Sequence, residues 1–169
     1  MRSICSIITL VGLLLAQVSF AQNFEVPKDF TPNTKDFPKY AKDVVNCENW
    51  LENTPVNEQA DKRKEACGFM VAWISGSPDV SMEISPNIVT FTEADPQLLM
   101  CFMGGWAKYA IEHPKDTSKL SGNAAGLRSA IKLYKKNPKA IKRADSMDQL
   151  VALEDKGKLD KWVEEQLKK

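Results

Sequence analysis

Three cysteines and one histidine carry most of the chemistry this chain could perform: Cys47, Cys67, Cys101 and His113. A thiol can act as a nucleophile, hold a metal or close a disulfide. A nucleophilic cysteine needs a lowered pKa, found at helix N-termini or beside a histidine. Cys67 lies in "ACGFMVAWISGSPD", inside an apolar run, and such surroundings raise a thiol pKa. His113 stands just before Pro114, at the end of a different segment. A zinc site built from three cysteines and His113 lacks the CxxC spacing that structural zinc sites use. No metal and no cofactor are expected. A disulfide between Cys47 and Cys67 is the preferred pairing, and in the loop-entropy model it would stabilise the fold by about 3 kcal/mol. Cys101 is then left over, as a buried thiol, an intermolecular bridge or a replacement in that pair.

The compartment supports a disulfide. Arg2 is followed by the apolar run "IITLVGLLLAQV" and by Ser19-Phe20-Ala21, the pattern of a secretory signal peptide over residues 1–21 cleaved after Ala21. The run is short for a membrane span, so no membrane anchor is expected after cleavage and the protein is expected in the periplasm. Thiols pair readily in such oxidising compartments. Cys5 leaves with the signal. Loss of Arg2 leaves 22 basic and 22 acidic residues. With neither an excess nor a patch of positive charge, nucleic acid is not expected as a partner.

The elements that would position these residues read as helices. Residues 22–37 mix prolines, charges and turn formers and predict an extended lead-in rather than a core element. Pro38 fits the first position of a helix, with Tyr40, Val44, Cys47 and Leu51 as its buried stripe. A second helix runs from about Asn57 to Ser75. Its first half is charged and solvated; its second puts Cys67, Met70, Val71 and Ile74 on one face, with Phe69 and Trp73 beside them. Those two stripes bring Cys47 and Cys67 onto facing helices. Gly76 and Pro78 end the second helix, and residues 79–92 form an extended connection with one short strand at most.

Asp95-Pro96 predicts an N-cap and first turn. The uncharged "QLLMCFMGGWA" reads as a central buried helix. Gly104-Gly105 would weaken it unless a neighbouring helix packs close there. A fourth helix covers residues 120–136 and is followed by Asn137-Pro138. Two short amphipathic helices fill residues 145–169, marked by Leu150 and Leu153, then by Leu159, Trp162, Val163 and Leu167. The expectation is an all-α, compact bundle of about four core helices with one or two short C-terminal ones. Its divisions are 38–138 for the main helical domain and 139–169 for the extension. No phosphate loop, dinucleotide fingerprint or serine elbow is present. Phe69, Trp73, Phe102 and Trp106 read as core rather than as a ligand cage.

Several segments then resemble one family. "VVNCENWLE" and "ACGFMVAWISGSPD" are similar to motifs of the Rap/Tai family of type VI secretion immunity proteins. That family has a first-helix cysteine, followed by a Cys-x-Gly-Tyr-Ile-x-Gly-like segment ending near an Asp. Here the second motif reads Cys67, Gly68, Phe69, Met70, with Gly76 and Asp79 downstream; its first glycine lies one place nearer the cysteine. "QLLMCFMGGWAKYAIEHP" resembles the next family helix and its Tyr-Leu-x-x-His-Pro-like end, matched by Tyr109, His113 and Pro114, with Ala110 for leucine. "NAAGLRSAIKLYKKNP" resembles the last helix. Residues 43–138 carry the resemblance. Many members have a second cysteine pair; Ile84 and Lys139 stand in its places here, as if one whole bridge were lost, which favours the Cys47–Cys67 assignment.

The resemblance implies an exported, non-catalytic protein that binds and blocks a peptidoglycan-cleaving amidase effector by occluding its active site, and it implies a homodimer among its states. A preorganised loop loses little entropy on binding. The candidate is the Pro-centred connection of residues 112–119, with Glu112, His113, Pro114, Lys115 and Asp116. Asp79 and the 79–92 connection form a second candidate surface. The competing classes are a small periplasmic chaperone or stress protein, a hydrolase using Cys67 and His113, and a domain of this fold recruited to a housekeeping role. The chaperone reading predicts apolar exposure at low pH, for which a single histidine offers little machinery.

Overall fold

The computed structural model describes residues 24–33 and 35–169. The expected signal peptide, its cleavage point and the start of the lead-in lie outside the described residues. Six α-helices follow a 3₁₀ turn at Phe37–Tyr40: α1 Ala41–Asn53, α2 Ala60–Gly76, α3 Pro96–Glu112, α4 Lys119–Lys136, α5 Asp145–Asp155 and α6 Leu159–Gln166. No strand occurs among the described residues, so the protein is all-α, and residues 79–92 are turns and extended chain. Helices α3 and α4 form the most extensive pair, with α1 against both.

Glycines explain that pairing. A methyl group on Gly126 would fall 2.5 Å from the carbonyl oxygen of Phe102, and one on Gly105 would fall 2.5 Å from Ser129 Cβ. The two backbones therefore approach to a distance that only glycine permits, and the helical cost of Gly104-Gly105 is offset as expected. Asp95 caps α3, its Oδ1 accepting the Gln97 N–H at 2.8 Å, with Pro96 opening the helix.

One core runs from Phe24 to Val163. It begins earlier than expected. The lead-in is not peripheral: Phe24 and Phe37 are buried, and Phe30 meets Phe37, Tyr40 and Phe69 edge-on. Three phenylalanines strap the segment over α1 and α2, because residues without regular structure can still bury rings. At the other end Met147, Leu150, Leu159 and Val163 are buried against the bundle. Gly157 takes φ +64° between α5 and α6, the left-handed turn that glycine adopts without strain.

Two readings of α2 are corrected. Its charged first half is not wholly solvated. Arg63 is buried and donates to the Thr54 carbonyl at 2.5 Å and more loosely to Leu51 and Pro55, so a cation closes the C-terminus of α1. Its buried face is Arg63, Ala66, Phe69, Met70 and Trp73, whereas Cys67 is half-buried and Val71 exposed. The apolar half of α2 is hydrophobic on every side, so periodicity cannot choose a face, and the larger aromatic rings take the core.

The rotation removes the expected disulfide. Cys47, Cys67 and Cys101 are all free thiols. Cys47 Sγ donates towards the Ala66 carbonyl at 3.5 Å, so it meets the backbone of α2 and not a sulfur. Cys67 is half-buried, packed against the margin of the core. Burial raises the pKa of all three thiols.

Candidate functional site

The two surfaces singled out in the sequence converge on one cleft of about 410 Å³. Asp79, Val80 and Ser81 line it from the connection after α2, and His113, Pro114 and Asp116 from the α3–α4 loop. Its floor is aromatic: Trp73, 1% exposed, and Trp106, 5% exposed. These tryptophans are core residues, as expected, that also show one edge to the cleft. Trp73 is fixed by its indole N–H, which donates to the Phe37 carbonyl at 3.0 Å. Trp106 lies on Gly122, where a Cβ would meet the indole at 2.3 Å. Glu112 and Lys115 are exposed on the loop but do not line the cleft.

The α3–α4 loop is held by its own side chains. The Tyr109 hydroxyl donates to Asp116 Oδ2 at 2.7 Å, and Asp116 Oδ1 accepts the Ser118 N–H at 2.9 Å. The Asp116 N–H donates to the His113 carbonyl at 2.9 Å. The His113 and Tyr109 rings stack at 4.2 Å with 15° between their planes. Ser118 then caps α4, accepting the Ser121 N–H at 3.4 Å. The Tyr109 hydrogen bond, followed by that of Ser118, holds the Asp116 carboxyl below its ordinary pKa, and the same contact with Asp116 raises the Tyr109 phenol. Lys119 pairs with Glu83 and joins α4 to the connection after α2.

Cys67 is not in the cleft with His113, and its thiol is pushed up mainly by burial, the reverse of what a nucleophile needs. No group of three or more His, Cys, Asp or Glu side chains able to hold a metal occurs among the described residues. No described helix is long and apolar enough to cross a membrane.

A second polar cluster escaped the sequence reading. Glu48 is completely buried among α1, α3 and α4. Its Oε1 pairs with the Ser129 hydroxyl, which also lies 2.6 Å from Glu52 Oε1. Lys132 pairs with the other oxygen of Glu52. A hydroxyl has one proton and cannot donate to both carboxyl groups, so the cluster needs a second proton; Glu52 is ion-paired with Lys132, whereas Glu48 makes no ion pair. Burial pushes the Glu48 pKa up to about 8, with Glu52 adding to the rise and Ser129, Lys108 and Lys132 opposing it. Gly104 makes room for this carboxyl, since a Cβ there would meet Glu48 Oε2. Nothing in "VVNCENWLE" marks Glu48 as buried beyond its place one residue after Cys47.

Compared with known proteins, no family model matches this chain, and no curated protein or solved structure matches it either.

Proposed function

We propose that this protein is an exported binding protein of the immunity type, which inhibits a peptidoglycan-cleaving amidase by occluding its active site. The observation that carries the reading is the loop of residues 112–119: short, exposed and locked by the Tyr109–Asp116–Ser118 hydrogen bonds. A loop already fixed in its binding shape loses little conformational entropy in a complex, and occlusion requires no chemistry from the inhibitor. The motif resemblance over residues 43–138, which includes Tyr109, His113 and Pro114, supplies the class of target. Glycine packing draws α3 and α4 close at the two ends of this loop without any disulfide.

The test uses the mature protein as bait against exported proteins of its own and neighbouring strains, with retained proteins identified by mass spectrometry. The expected result is a stoichiometric peptidoglycan amidase whose activity falls on binding. Asp116→Ala, which frees the loop, should raise the concentration for half-inhibition by about tenfold, near 1.4 kcal/mol. Absence of any inhibited amidase would overturn the proposal. Retention of many unrelated unfolded proteins, strongest at acid pH, would replace it with a chaperone.

A further inference from the structure

We propose that the cleft between residues 79–81 and the α3–α4 loop receives an arginine carried on a loop of the partner protein. This rests on the inhibitor reading above and extends it, because there the protein only presents a loop, whereas here it also accepts one. Charge selects the occupant. The cleft lining holds two carboxylates, Asp79 and Asp116, and no lysine or arginine. The Asp79 carboxylate makes no hydrogen bond or ion pair among the described residues; only its backbone N–H is engaged, donating to Ser77 Oγ at 3.3 Å. Asp116 already accepts from Tyr109 and Ser118, and no lysine or arginine pairs with it in the cleft.

Shape narrows the occupant further. The tryptophan floor suits the apolar stem of a long side chain, and the Tyr109–His113 ring pair offers a flat wall. A guanidinium combines the positive charge, the planar face that stacks on rings and the paired donors that match a free carboxylate. An ammonium matches only the charge. The walls are fixed before anything binds, since Trp73, Trp106 and Asp116 are each held by the fold.

The probe is N-acetyl-arginine amide, titrated into the isotopically labelled mature protein and followed by amide and indole N–H shifts. Saturable shifts are expected at Asp79, Ser81 and Gly122 and at the Trp106 indole. N-acetyl-citrulline amide, of the same shape without the charge, should bind about tenfold more weakly or not at all. Asp79→Asn and Asp79→Lys, at an exposed position, should keep the wild-type melting curve and lose the arginine response. Equal binding of citrulline, an unchanged response in Asp79→Asn, or no saturable shift would overturn the inference. An amidase inhibited equally well by Asp79→Lys would also overturn it while leaving the inhibitor reading standing. Arginine binding that survives when no amidase is captured would keep the cleft as an arginine site and remove the inhibitor reading alone.

Discussion

Replacing Glu48 with glutamine should change how stability depends on pH more than it changes stability itself. Glu48 is fully buried, and the groups facing it are Cys47 and Glu52 on its own helix, Ser129 and Lys132 on α4, Lys108 and Cys101 on α3, and Arg63 and Cys67 on α2. Its pKa rises from 4.5 to about 8. The folded protein thus binds a proton that the unfolded chain releases above about pH 4.5. The associated stability is complete below that pH and declines as pH rises through the window to about 8. A shift of that size corresponds to roughly 5 kcal/mol over the whole window, at about 1.4 kcal/mol per pKa unit. Glutamine keeps the shape of the protonated carboxyl and its bond to Ser129, and it has no proton to lose. Urea midpoints from pH 4 to 9 provide the assay. Between pH 4.5 and 8 the wild type should lose several kcal/mol more than Glu48→Gln, and the variant should be the more stable protein at the alkaline end. Parallel profiles would refute the assignment of the proton to Glu48.

Two glycines in helices should respond to alanine with opposite signs. Gly126→Ala would press a methyl on the Phe102 carbonyl; overpacking of about 1–3 kcal/mol exceeds the helix-propensity gain of about 1 kcal/mol, so the urea midpoint should fall. Gly68→Ala meets nothing within 4 Å and should stabilise by about 0.5–1 kcal/mol; the same sign for both would contradict the α3–α4 packing. For the thiols, an aromatic disulfide reagent should label half-buried Cys67 in the folded protein, faster as pH rises, and Cys47 and Cys101 only on unfolding. A Cys47–Cys67 cross-linked peptide in a digest of the native protein would contradict the packing of α2.

How much of this was legible in the sequence differs from element to element, for physical reasons. Helix α3 was readable at both ends, because Asp95, Pro96 and Pro114 act through local backbone chemistry. The start of α2 was not: Gln59 takes φ +50° and no side chain caps the helix, so its beginning at Ala60 leaves no residue signature. The face of α2 was misassigned because an apolar run without polar interruptions has no period to follow, and the disulfide failed with it. Phe24, Phe30 and Phe37 were visible as residues, but their burial depends on a surface made by α1 and α2, which no local pattern encodes. Glu48 and Arg63 escaped for a related reason. A charged residue reads as solvated unless its partners are known, and those partners lie on other turns and other helices. By contrast, residues 112–116 and Asp79 were singled out by the motif resemblance together with the proline turns at Pro78 and Pro114, and only their meeting in one cleft required the fold.

That meeting follows from the same packing that holds the bundle together. Glycines at 105 and 126 let α3 and α4 lie close, so the C-terminus of one and the N-terminus of the next need only a short connection. A short connection places Tyr109 within reach of Asp116, and their hydrogen bond fixes the loop. Gly122, one turn into α4, leaves a flat site on which the Trp106 indole rests. A side chain there would lift the indole, and the floor of the cleft would close. Site and core therefore cannot vary independently in this protein: a substitution at Gly122 is at once a packing defect and a change in what the cleft can hold.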